Sequence, residues 1–237
     1  MENIYVISDL HGHKNAFFSM LEKINWNEND RMYILGDVID RGPDGIELLK
    51  YIKEQKNMKL FLGNHEDMMM KSLTTSADMW MGTWMFNGGD ATLSAYEKLS
   101  RQEQEECLSY IKSLPLYEMI EVEGVSYLLI HAGVKMEDGS IEEIPKVVEE
   151  EDALWIREEF FNSHIISSYY IIFGHTPTGA MLRYADSLPE EQRKRCSQFQ
   201  IAFWNHRIAI DCGAAYEENL GCLRLNDLKE FYVEIKK

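Results

Sequence analysis

Five short apolar runs punctuate the chain, and each stops on a side chain that can hold a metal ion. They read YVISDLH (Asp9, His11), MYILGD (Asp37), KLFLGNH (Asn64, His65), YLLIHAG (His131) and YIIFGH (His175). Between the first three runs the pattern changes to helical spacing. Ala16 to Ile24 places Phe17, Leu21 and Ile24 on one face, and Ile46 to Lys53 does the same with Pro43 near its start. Strands are predicted over 4–8, 32–35 and 59–62. Strand, helix, strand, helix and strand joined by short loops predict a parallel βαβαβ core, whose ligands gather at the carboxyl ends of the strands.

From about Glu66 to Leu116 the chain is rich in Met and Trp and has no proline before Pro115. This stretch predicts a helical insert that caps the site. Trp80, Met81, Trp84 and Met85 share helical spacing within it, which favours packing over base stacking. Val122–Ile130 resumes strand character, and the acidic stretch Glu137–Asp152 reads as a solvated loop and helix. Further strands are predicted over 169–173, 207–210, 222–225 and 231–235. The last three follow closely on one another and predict an antiparallel meander in a second sheet. Arg193-Lys194-Arg195 reads as a solvated turn.

The polar residues that end the strands carry the chemistry. Carboxylate oxygen and imidazole nitrogen suit Mn, Fe or Zn, whereas a thiolate site would place cysteines at these positions. The pattern therefore points to a metal-dependent hydrolase. Taken singly, each residue has a plainer reading. A lone His at a strand end is usually a satisfied polar group, Asp37 could cap a helix, and Arg157 could belong to an ordinary Arg–Glu helix face.

Composition narrows the partners. The 237 residues fit a single domain, 1–237, with the insert at about 66–116. With 40 acidic against 24 basic residues the net charge is -16, a field that repels polyphosphate backbones and argues against nucleic acid as a partner. It does not bar a small phosphorylated substrate, because bound cations dominate the local potential. The four cysteines (Cys107, Cys196, Cys212, Cys222) form no CxxC pair, which fits free thiols in a reducing cytoplasm. No signal peptide or membrane-spanning run is expected.

Six segments stand out: Asp9-x-His11, Gly36-Asp37-Val38-Ile39-Asp40-Arg41-Gly42, Gly63-Asn64-His65-Glu66, His131 with Gly174-His175, Leu154-Trp155-Ile156-Arg157, and Ile210-Asp211-Cys212-Gly213-Ala214. The set resembles the phosphoprotein phosphatase family of calcineurin-like metallophosphoesterases, in its bacterial and phage branch. The resemblance spans nearly the whole chain. It implies an α/β fold of two mixed sheets flanked by helices, in α/β/β/α layers, with a helical insert over the site.

It also implies two divalent cations, with Mn²⁺ expected in vitro and Fe or Zn also suited. Asp9, His11 and Asp37 would hold one, and Asp37, Asn64, His131 and His175 the other. Two cations sharing an anionic ligand lower the pKa of a bridging water enough to give hydroxide near neutral pH. His65 would be the general acid, oriented by Asp40, while Arg41 and Arg157 would hold phosphate together with Asn64. Asn87-Gly88-Gly89 is similar to an element that lies beside the cleft in related bacterial enzymes.

The function so implied is hydrolysis of phosphoserine and phosphothreonine in proteins, with phosphotyrosine as a further substrate, or of small phosphate esters. The alternative within the fold is a symmetric hydrolase of diadenosine tetraphosphate. A non-catalytic binding module is the third reading, and the intact ligand set argues against it. No obligatory regulatory subunit is implied.

Overall fold

A computed structural model describes residues 2–75, 78–136 and 148–235. Its frame follows from the apolar runs. β1 (Ile4–Ile7) is buried on both faces. It pairs in parallel with β2 (Arg31–Ile34), which pairs in parallel with β3 (Met58–Leu60). The connections are α1 (Lys14–Lys23) and α2 (Gly45–Glu54). Between β3 and the next strand, where the insert is expected, stand α3 (Asn64–Thr74), α4 (Asp78–Phe86), α5 (Asp90–Tyr96) and α6 (Arg101–Lys112). Ser100 starts α6 with a capping box closed by Glu103.

Strand character over 122–130 is found as Val125–Ile130, the second arm of a hairpin whose first arm starts earlier, at Tyr117. β4 (Tyr117–Val122) and β5 (Val125–Ile130) pair antiparallel, with Val122 opposite Val125. Glu123 and Gly124 turn the chain at φ 51° and 77°, the left-handed pair that a tight two-residue hairpin requires. α7 (Glu150–Trp155), α8 (Glu158–Asn162), β6 (Tyr170–Phe173), α9 (Thr178–Met181) and α10 (Glu190–Cys196) follow. Then come β7 (Ala202–Trp204), β8 (Arg207–Ala209), β9 (Asn219–Arg224) and β10 (Lys229–Glu234). Arg193, Lys194 and Arg195 lie in α10 rather than a turn, and Arg195 pairs with Glu230. Most of the acidic stretch, 137–147, lies outside the described residues.

Two five-stranded sheets result, ordered β10-β9-β1-β2-β3 and β4-β5-β6-β8-β7. The expected C-terminal meander is not formed. β8 joins the second sheet parallel to β6, while β9 crosses to the free edge of β1 and pairs with β10. Period-two patterning marks each segment as a strand but carries no information about which open edge it will satisfy.

Alternation along the strands builds the layers. Ile4, Val6, Tyr33 and Leu35 meet Leu129, Ile172, Ile208 and Ile210 between the sheets. Tyr5, Ile7 and Ile34 face outward onto Phe17, Met20, Leu48 and Leu49 of α1 and α2. Leu128, Ile130, Ile171 and Phe173 face the other way, onto Phe160, Phe161 and Met181. The architecture is α/β/β/α, with two mixed sheets inside and helices outside, as expected. No helix among the described residues is long and apolar enough to cross a membrane. The four cysteines are free and buried.

Candidate metal centre

The parallel strands β1, β2 and β3 of one sheet and β5, β6 and β8 of the other end along one edge of the sandwich. Their following residues are Asp9, Asp37, Asn64, His131, His175 and Asp211, all buried. Two groups of potential ligand atoms form there, each with its members within 4.8 Å of one another: His11, Asp37 and His65, and Asp37, His131 and His175. Asp37 belongs to both and divides its oxygens between them. Oδ2 lies 3.8 Å from His11 Nε2 and 3.9 Å from His65 Nε2, and Oδ1 lies 3.6 Å from His131 Nε2. Asn64 Oδ1 lies 2.9 Å from both His131 Nε2 and His175 Nδ1.

The tautomers are set from outside the centre. His11 Nδ1 donates to the Ile39 carbonyl at 3.1 Å, and His131 Nδ1 to the Leu35 carbonyl at 2.6 Å. Each ring therefore turns an Nε2 lone pair toward Asp37, the arrangement expected of a metal-binding histidine. Burial pushes His11, His131 and His175 below the ordinary histidine range, which favours the neutral, ligating form. Burial would raise Asp37, but the imidazoles of His131, His65, His11 and His175 outweigh it and hold the carboxyl below its usual range. Among the described residues His175 Nε2 is buried with no hydrogen-bond partner, and Trp155 packs edge-on against the ring. This donor set fits two hard-to-borderline divalent cations sharing Asp37.

Asp9 stands slightly apart. Its carboxylate accepts from the Ser8 hydroxyl and from the His175 N–H. Burial, with Asp211 and Asp37 nearby, pushes it well above the usual carboxylate range. Burial likewise raises Asp211 to about 7.

His65 differs from the other histidines. Burial would lower it, but Asp37 and Asp40 outweigh burial and raise it above the ordinary value. Its Nδ1 faces Asp40 Oδ2 at 2.7 Å. Arg41 reaches both rings, with Nη1 3.2 Å from His11 Nε2 and Nη2 3.3 Å from His65 Nε2. Arg157, half-buried at the start of α8, donates to the Trp155 carbonyl at 3.3 Å. Burial pushes its guanidinium below the usual arginine range, and the charge of Asp37 acts the other way. Of the remaining histidines, His13 precedes α1 and joins neither group, and His206 Nδ1 meets the Ser167 carbonyl at 2.6 Å.

Holding these loops strains the backbone. Asp9, His11, Asp37, Asp40, Arg41 and His175 all have φ between 42° and 70°, a left-handed region that costs non-glycine residues of order 1–3 kcal/mol each. Gly63 lets the second and third loops meet, since a Cβ there would collide with Asp37 Oδ1.

Glu66 supplies much of the compensation, a role that the motif in which it stands does not reveal. Its Oε1 accepts from the N–H groups of Val38 at 2.8 Å and Ile39 at 3.3 Å, and its Oε2 from Asp37 at 2.9 Å and Gly63 at 3.2 Å. A signal is present, because Glu66 is the third helical residue after Gly63, where a side chain folds back onto the helix start. Glu66→Ala is expected to destabilise the fold by roughly 3 kcal/mol or more, because it strands several buried N–H groups at once. Urea unfolding measures this, and a loss below ~1 kcal/mol would show that water replaces the carboxylate.

The sequence profile of the calcineurin-like phosphoesterase family matches residues 2–202. The serine/threonine-protein phosphatase 1 of Salmonella typhimurium is 27% identical over 190 residues, covering 78% of this chain and 83% of that protein. The symmetrical bis(5'-nucleosyl)-tetraphosphatase of Haemophilus ducreyi is 30% identical over 135 residues, covering 56% of this chain and 46% of that protein. The fold is shared with a protein serine/threonine phosphatase from Saccharomyces cerevisiae at a TM-score of 0.63 and 16% identity, over 99% of this chain and 80% of that one. A sandwich whose strand ends converge on buried imidazoles and a shared carboxylate is thus matched by a profile spanning most of the sequence, and the chain belongs to the calcineurin-like phosphoesterase family as a metal-dependent phosphoric ester hydrolase.

Proposed function

We propose that this hydrolase is a phosphomonoesterase acting on phosphoserine and phosphothreonine in proteins, with phosphotyrosine as a further substrate. The observation that carries the reading is the His65–Asp40 pair set beside the Asp37 groups. A monoester of serine or threonine leaves as an alkoxide and needs a proton, which a buried histidine held by a carboxylate can supply. The extent of similarity supports the same reading, since the Salmonella phosphatase is matched over most of both chains.

Asp9, His11 and Asp37 would hold one divalent cation, and Asp37, Asn64, His131 and His175 the other. The pair, with Mn²⁺ expected in vitro, supplies positive charge to the phosphoryl oxygens and lowers the pKa of water. Arg41 and Arg157 take phosphate oxygens through planar, permanently charged guanidinium groups. His65 presents Nε2 to the ester oxygen, and Asp40 keeps its ring oriented. The helices α3–α6 cap the centre, the partner is a phosphorylated protein or small ester, and the compartment is the cytoplasm.

A second reading, symmetric hydrolysis of diadenosine tetraphosphate, is supported by the likeness to the Haemophilus enzyme. Turnover of a phosphopeptide panel and of dinucleoside tetraphosphates, side by side with Mn²⁺ present, decides between them. The expected result is kcat/KM at least about tenfold higher on the best phosphopeptide, a difference of ~1.4 kcal/mol in transition-state binding. The reverse order would establish the second reading.

A further inference from the structure

The insert grips the loop bearing Asp40 and Arg41 from behind, and the grip centres on one tryptophan. Trp84 is fully buried. Its indole Nε1 donates to Asp40 Oδ2 at 2.8 Å, the oxygen that also faces His65 Nδ1 at 2.7 Å. Two donors on Oδ2 set the orientation of this carboxylate.

The corner after α4 completes the grip. Gly89 lies against the indole, and a Cβ there would sit 2.6 Å from Trp84 Nε1. The Gly88 carbonyl accepts the Arg41 N–H at 2.9 Å, and Thr92 Oγ1 accepts the Asp40 N–H at 2.9 Å. Asp40 and Arg41 have φ of 70° and 67°, a conformation that neither residue favours on its own. The three contacts hold it from outside the loop.

We propose that Trp84 is a positioning residue for phosphoryl transfer: its indole N–H locks Asp40, so that His65 is held with Nε2 toward the leaving ester oxygen. This rests on the reading of His65 given above. In the step concerned, hydroxide, already one proton short of water, bonds to phosphorus. The ester P–O bond breaks with its electron pair on the leaving oxygen, and the phosphate keeps the hydroxide proton as hydrogen phosphate. The proton on His65 Nε2 passes to the departing alkoxide and yields the alcohol. An imidazole free to swing about an unlocked carboxylate meets that oxygen less often, and the loss is largest where the leaving group depends most on the proton.

The test is steady-state kinetics of the metal-loaded protein on a phosphoserine peptide and on 4-nitrophenyl phosphate. Trp84→Phe is expected to lose about 10- to 100-fold in kcat on the peptide, in line with removal of a hydrogen bond that orients a working side chain. On the aryl ester the loss should stay within about threefold, since nitrophenolate departs without a proton. KM and metal content should be unchanged. The double variant with His65→Asn should be no slower on the peptide than His65→Asn alone, because both changes remove one function.

Equal losses on the two substrates, or additive losses in the double variant, would overturn the inference. If Trp84→Phe does not fold, benzothienylalanine at position 84 replaces the N–H by sulfur with the ring shape kept. The same substrate split is expected there, and unchanged peptide turnover overturns the proposal. A wild-type protein that hydrolyses neither monoester overturns the functional reading, whereas an active wild type lacking the split overturns the Trp84 role alone.

Discussion

Asp37→Asn is expected to abolish tight metal binding and lower kcat/KM by at least about 10³-fold. The carboxylate turns one oxygen to the His11 and His65 side and the other to the His131 side, so one negative charge would serve two cations. Asparagine keeps the shape but removes that charge and puts an N–H₂ donor where one oxygen was. Two bound cations would contribute several kcal/mol of transition-state stabilisation, and each ~1.4 kcal/mol is tenfold in rate. Metal analysis after dialysis and turnover of 4-nitrophenyl phosphate measure the two effects. Full occupancy with near-normal turnover would show that Asp37 does not bridge.

His65→Asn is expected to separate binding from proton transfer. The ring meets Asp40 through Nδ1, and the neighbouring Asn64 oxygen is the atom that lies against His131 and His175. Both metals should therefore remain. On a phosphoserine peptide the loss should reach ~10²–10⁴-fold, the usual worth of a positioned general acid. On 4-nitrophenyl phosphate it should be far smaller, because the leaving phenolate is already stable. Equal losses with metals retained remove His65 from the acid role. Loss of a metal means that His65, which lies within 4.8 Å of His11 and Asp37 ligand atoms, is itself a ligand.

Much of this centre is legible in the amino-acid sequence. Asp37, His131 and His175 each follow a run of apolar residues that cannot be solvated on either side, so the run is a buried strand and its end is a loop at the sheet edge. Several such ends in one small domain have few places to go except together. Glu66 and Trp84 are harder to see. Glu66 reads as an ordinary helix-start acid and Trp84 as one apolar residue among several at helical spacing. Their roles depend on the Asp37–Ile39 amides and on Asp40, partners 27 to 44 positions away in the chain.

Apolar faces and the kind of atom at each strand end follow from the sequence alone, because these depend on side chains a few positions apart. Which sheet β8, β9 and β10 would join does not. β8 and β9 are separated by a short crossing segment, and only the free edges of β6 and β1, formed elsewhere in the chain, select between one sheet and two. The division of Asp37 between two groups of histidines is likewise a product of tertiary packing. Strand ends from both sheets must first meet across the sandwich core of Val6, Leu35, Leu129 and Ile172, and the burial of that core holds four histidines around a single carboxylate.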